Sequence, residues 1–168
     1  LTLDREARIT FCNAHLLRVT GWREEDVIGR NLFDLFILPE RNDLQAVFVA
    51  LLANQPAAWH HENEILTRAG ERRLVRWNNS VLRSAAGEVI GVAGVGEDIT
   101  ERKAAADRIA YLNRVYTMLS SINTLIVRVR DRDELYRGAC RIASEVGGFR
   151  MPLICIVDRS TMKISPVA

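Results

Sequence analysis

The stretch Val89-Ile-Gly-Val-Ala-Gly-Val-Gly-Glu-Asp-Ile-Thr100, continued by Glu101-Arg-Lys-Ala-Ala-Ala-Asp107, decides how this chain folds. Up to Ile99 it is rich in β-branched residues and glycine, and it reads as a strand over Val89–Ile99. Gly91, Gly94 and Gly96 permit close packing or a bulge there. From Thr100 the composition turns to helix formers. Thr100 is placed to cap a long helix by accepting one of its orphan N–H groups, and Glu101 sits in the first turn, where the helix dipole favours an acid. Nothing breaks that helix until roughly Arg130-Asp131. A strand therefore runs straight into a helix, and Asp98 stands at the junction with acceptor oxygens to spare.

Upstream, Ala58–Arg68 and Arg72–Arg83 read as strands flanking a turn at Ala69-Gly70, and Ala86-Gly87 turns the second into Val89–Ile99. Two successive hairpins make an antiparallel meander. Earlier, Leu1–Asp4 and Arg8–Cys12 form a pair of short strands. Asn13 caps a short helix, Ala14–Val19, which stops before Gly21. Trp22–Ile28 is a second short, acidic helix ending at Gly29. Pro39-Glu40 opens a longer one, through about Ala53, with Leu44, Val47, Phe48, Leu51 and Leu52 along one face. The region is α+β: two strands, several helices, three strands.

Downstream, a second helix, about Asp133–Val146, ends at Gly147-Gly148, and Met151–Val157 and Met162–Val167 read as strands around Asp158-Arg159-Ser160-Thr161. Residues 1–100 hold 11 basic and 14 acidic residues and the rest 12 and 7. The basic surplus of the second part is spread around helices with few aromatic residues among it, the pattern of a solvated surface and not of a nucleic-acid interface. No apolar run approaches a membrane span. Cys12, Cys140 and Cys155 lie far apart, without CxxC spacing or a nearby His, which argues against a metal centre and for a reducing, cytoplasmic setting. The absent initiator Met suggests a fragment of a longer chain.

The order of short motifs resembles a PAS domain with its C-terminal PAC part. It is carried by Arg8-Ile-Thr-Phe-Cys-Asn13, Val19-Thr-Gly-Trp22, Glu25-Asp-Val-Ile-Gly-Arg-Asn-Leu-Phe33, Glu62, Thr67-Arg-Ala-Gly70, Trp77-Asn-Asn-Ser80 and Gly96-Glu-Asp-Ile-Thr100. The resemblance implies a PAS fold over residues 1–100: a five-stranded antiparallel sheet with helices on one face, enclosing a small pocket. Residues 114–168 look like the opening of a GAF domain, on Leu119-Ser-Ser-Ile122, Leu135-Tyr-Arg-Gly-Ala-Cys140 and Gly147-Gly-Phe149. That incomplete α/β segment overlaps a connecting, coiled-coil-like helix over 101–130, and its two strands should leave apolar surface exposed.

Relatives of this kind hold haem, flavin, small acids or nothing. Many haem-binding members ligate iron from the long helix, which has no His here; of His60-His61, at most one faces the pocket, and a solvated edge position is the plainer reading. Cysteinyl-flavin photochemistry lacks its nucleophile, because Leu32 follows Gly29-Arg30-Asn31. A redox flavin stays open: Val75, Trp77, Asn79 and Val81 share one strand face, and Glu62 on the neighbouring strand is within reach of the same volume. The rival reading has Trp77 packing the core and Asn79 bonding to backbone.

Asp98, Ile99 and Thr100 match the family's exit motif and are the expected signal relay. Beyond them, Ala105, Ile109, Leu112, Tyr116, Leu119, Asn123 and Ile126 follow a seven-residue repeat that suits a two-helix coiled coil between protomers, with Asn123 setting register. Packing of the same stripe within the chain is the alternative; Asn123 would then need a partner. The helices hold no phosphoacceptor His, no phosphate loop follows the glycines, and no catalytic triad stands out. The expectation is a non-enzymatic sensor that relays a ligand, redox or cofactor change to a distal output domain of the same chain. The resemblance makes that domain a diguanylate cyclase, phosphodiesterase or histidine kinase. The competing expectation is a cofactor-free dimerisation or interaction module.

Overall fold

Asp4 organises the first turn of the chain. Its Oδ1 accepts from the backbone N–H of Glu6 at 3.0 Å and of Arg8 at 2.7 Å, holding Ala7 at a φ of 61°. That turn joins β1 (Thr2–Asp4) to β2 (Ile9–Phe11). The computed structural model describes residues 1–38 and 43–168, in two units, Leu1–Lys103 and Ala104–Ala168.

Asn13 caps α1 (Ala14–Thr20) through an Oδ1 that accepts from the Leu16 N–H at 2.9 Å, and Gly21 ends the helix in the left-handed region. α2 (Glu24–Val27) is shorter than Trp22–Ile28. Asn31 caps α3 (Leu32–Phe36), a helix absent from the sequence reading, by accepting from the Phe33 N–H at 2.9 Å. α4 (Asp43–Leu52) buries Leu44, Phe48 and Leu51 at spacings of four and three; the expected opening at Pro39-Glu40 lies outside the described residues. After a 3₁₀ turn at Pro56–Ala58 come β3 (His60–Leu66), β4 (Arg72–Arg83) and β5 (Val89–Asp98). Their turns use Gly70 and Gly87 at φ of 81° and 84°, which only glycine adopts without strain.

All pairings in the sheet are antiparallel, in the order β2-β1-β5-β4-β3, so the fold is α+β as expected. The first strand closes against the last, Leu3 opposite Val92. A Cβ at Gly91 would collide with the Leu3 carbonyl, so glycine lets these two backbones meet. One face of the sheet is covered. Leu3, Ile9, Ile65, Val75 and Val92 join Val27, Phe36, Leu44, Phe48 and Leu51 in one buried cluster. Each such side chain contributes about 1.5–3 kcal/mol on burial, so the helices are held on by this face.

α5 (Thr100–Arg128) begins where β5 ends and crosses from the first unit into the second. In the second unit, Asp131 caps α6 (Arg132–Glu145) by accepting from the Glu134 N–H at 2.7 Å. Gly138 lets Leu125 of α5 approach: a Cβ there would lie 2.7 Å from Leu125 Cδ2. A two-stranded hairpin, β6 (Cys155–Asp158) and β7 (Lys163–Pro166), closes the described chain, its strands shorter than Met151–Val157 and Met162–Val167. Met151, Leu153, Met162 and Ile164 are exposed around it.

Candidate functional site

Between the covered face of the sheet and the helices lies a cavity of about 80 Å³. Leu16 of α1, Phe33 and Phe36 of α3, and Leu44, Val47 and Phe48 of α4 form its roof. The sheet supplies the floor, with Ile65 and Val92 apolar and His61, Asn63, Trp77 and Asn79 polar. Strand alternation decides which residues reach it. In the β3–β4 pair, His61 faces Trp77 and Asn63 faces Val75, so odd-numbered residues share the covered face.

The same parity corrects two expectations. Glu62 pairs across with Arg76 on the opposite face, where its Oε1 accepts from Arg76 Nε at 2.8 Å; it does not join Trp77 and Asn79. His61, placed at a solvated edge in the plainer reading, lines the cavity, while His60 is exposed and bonds Asn78 Oδ1 at 2.7 Å. Asn63, which the sequence reading passed over, is buried. Its Nδ2 donates to the Glu64 carbonyl at 2.9 Å, leaving a second N–H and the amide oxygen for other partners. Asn79 donates its backbone N–H to the Trp59 carbonyl at 2.7 Å and its side-chain N–H to Ala58 at a long 3.5 Å.

Trp77 and Asn79 sit over the two glycines of β5. Trp77 is opposite Gly96 and Asn79 opposite Gly94. A Cβ on Gly96 would come 2.7 Å from Trp77 Cζ3, and one on Gly94 2.8 Å from Asn79 Oδ1. The glycines make the trough in which indole and amide lie. A second cavity of about 110 Å³ shares Leu1, Leu16, Ile65, Trp77 and Gly94 with the first and extends to Asp98. Trp77 thus lines both spaces.

The exit segment is bonded tightly into β4. Leu74 engages it twice: its N–H donates to Thr100 Oγ1 at 2.8 Å and its carbonyl accepts from the Ile99 N–H at 2.9 Å. Asp98 Oδ1 takes both the Thr100 N–H, at 2.9 Å, and the Thr100 hydroxyl, at 2.6 Å. The expected division of labour is therefore exchanged. Thr100 lies one place inside the helix, so Asp98 accepts the helix N–H and the Thr100 hydroxyl bridges to the sheet. Ile99 between them is 3 % exposed. On the opposite face, Arg76 and Arg102 bracket Glu97 at 4.0 and 3.5 Å; on the covered face, Arg73 lies 3.8 Å from Asp98.

This arrangement (short helices over one face of a β2-β1-β5-β4-β3 sheet, with the last strand feeding a helix) has a family counterpart: residues 1–104 match a family model described as the PAS fold. The chain belongs to the PAS family. Among solved structures, the PAS domain of a Colwellia psychrerythraea protein is 19% identical over 60% of this chain and 85% of its own, with a TM-score of 0.54. An RNA-binding light-oxygen-voltage receptor is 20% identical over 67% of this chain and 32% of its own, with a TM-score of 0.55. A sensory box histidine kinase/response regulator from Burkholderia thailandensis is 18% identical over 69% of this chain and 87% of its own, with a TM-score of 0.50. No curated protein matches. PAS domains are sensory and not catalytic.

The cofactors weighed for this PAS domain do not fit its cavity. An isoalloxazine or a porphyrin needs a pocket of some hundreds of Å³, against about 80 Å³ here, and Glu62 is on the wrong face for either. Among the described residues no cluster of His, Cys, Asp and Glu is arranged to hold a metal, and no helix is long and apolar enough to cross a membrane. Cys12 is buried; burial first, and the nearby Glu24 carboxylate second, push its thiol up from the ordinary range, so it is a core residue and not a nucleophile.

Proposed function

We propose that residues 1–100 sense the occupancy of the cavity and relay it through Asp98, Ile99 and Thr100 into the helix over 101–130, and through it to a further domain of the same chain. The observation that carries this reading is the double engagement of Leu74 by Ile99 and Thr100. A change in the spacing of β4 and β5 cannot leave the first turn of α5 unmoved, because the same residue, Leu74, holds both. Trp77 supplies the other half of the path, because it lines both the cavity and the space reaching Asp98. The solved neighbours named as a light-oxygen-voltage receptor and a sensory box histidine kinase have the same fold in sensory proteins.

In this reading α5 also joins two copies. Ile109, Leu112, Tyr116, Leu119 and Ile126 are each at least half exposed, from 50 to 74 %, and Asn123 is exposed among them. The half-buried apolar residues of the helix are a different stripe, Val115, Met118, Ile122 and Leu125, continued by Val129 just past its end. The heptad seam is thus left for a symmetry-related helix, whose own seam is complementary to it by construction. Residues 114–168 are read as the opening of a GAF domain, on α6, the Gly147-Gly148 turn and the β6–β7 hairpin; the exposed Met151, Leu153, Met162 and Ile164 need a cover.

The test is Val47→Phe, which fills the cavity from α4. Amide hydrogen exchange at Ile99–Lys103 should change while the protein stays folded. Unchanged exchange there would leave dimerisation or docking, without sensing, as the role of the domain.

A further inference from the structure

We infer that the cavity takes an uncharged ligand of only a few non-hydrogen atoms, with a compact apolar body and one amide or hydroxyl head directed at Asn79. This rests on the sensory reading above and names the ligand class for the same site.

Size sets the first limit. A cavity of about 80 Å³ is roughly half the engineered apolar cavity that admits benzene, and several times what one water needs. Chemistry sets the second. Among the described residues, no Lys, Arg, Asp or Glu side chain lines the cavity. On the opposite face of β3 and β4, Glu62 pairs with Arg76 and Glu64 with Arg72; on the covered face, Arg73 and Asp98 lie 3.8 Å apart at the end of β5, outside the lining of this cavity. Among the described residues a carboxylate or ammonium would meet no Lys, Arg, Asp or Glu in the lining, which is costly, whereas a neutral head meets primary amides able both to donate and to accept.

Location sets the third limit. The polar side chains all belong to β3 and β4, and the roof from α1, α3 and α4 is apolar. The head therefore lies on the sheet, at Asn79, and the body under Phe33 and Phe48, whose rings meet edge to face at 6.0 Å. In that pose the ligand abuts Trp77, which also lines the space reaching Asp98.

Butyramide, butyrate and butylammonium separate these alternatives, since they share a shape and differ in charge. Titrated at pH 8 against the full chain and followed by the side-chain amide NMR signals of Asn63 and Asn79, butyramide should bind at least about tenfold more tightly than either ion. Asn79→Leu should remove that preference, and Val47→Phe should abolish uptake of all three while the spectrum stays dispersed. Butyrate or butylammonium binding as tightly as butyramide overturns the inference, as does the absence of binding by all three. The relay itself would survive either result, because Val47→Phe tests it without a ligand.

Discussion

At Gly96 the absence of one methyl group shapes the site. An added Cβ would crowd the Trp77 ring at 2.7 Å and Val75 Cγ1 at 2.8 Å. Gly96→Ala is therefore expected to cost about 1–3 kcal/mol in urea unfolding and to shift the Trp77 fluorescence, by tilting the indole. Asp158, in the β6–β7 turn, shows a different local device. The Ser160 hydroxyl and N–H, then Thr161, hold its carboxyl down at about 2. A carboxyl depressed by folding stabilises the turn above its ordinary value of 3.8 and loses that contribution as pH falls through about 2. A ¹³C titration should find this value, and Ser160→Ala should return it toward the ordinary one. At this scale the sequence was legible where parity alone decides. Trp77 and Asn79 share the cavity face because they are two apart. Glu62, His61 and Asn63 needed the hairpin register as well. The Thr67 N–H bonds the Glu71 carbonyl, which pairs odd residues with odd across the two strands; from that closure Glu62 falls outside and His61 and Asn63 inside.

Among the elements, those with a long period or a clear cap were readable. β4 forms over the expected Arg72–Arg83, and α1 starts after Asn13 and stops at Gly21. α3 escaped because Leu-Phe-Asp-Leu-Phe is too short to show a helical period, although Asn31 before it carried a capping signal. α5 carries two apolar stripes, and only the heptad one is obvious in the sequence. The other, Val115 to Val129, becomes visible once α6 offers Gly138 as a gap for Leu125. With the second stripe occupied and the first exposed, Leu112→Glu with Leu119→Glu should convert a dimer to a monomer in sedimentation velocity, leaving the helix content unchanged. A double variant that stays dimeric, or a wild-type chain monomeric at about 100 µM, a concentration at which a three-heptad seam should associate, would contradict the seam.

Across the whole of residues 1–103, sensing depends on three things being mechanically one: a cavity under the helices, the Trp77 indole that lines it, and a residue of β4, Leu74, bonded to the helix start. The sequence showed the strand running into the helix. It did not show that Thr100 reaches back to Leu74, because that contact joins residues 26 apart and depends on where the meander brings β4. The direct measurement is the exchange rate of the Leu74 and Ile99 amides in four proteins: wild type, Val47→Phe, Thr100→Val, and the double variant. Thr100→Val removes the acceptor of the Leu74 N–H, at a cost of about 1–2 kcal/mol. We predict that filling the cavity alters both amides when Thr100 is present and loses at least half of that effect when it is Val. Additive effects of the two substitutions would show that cavity and helix do not communicate through this junction.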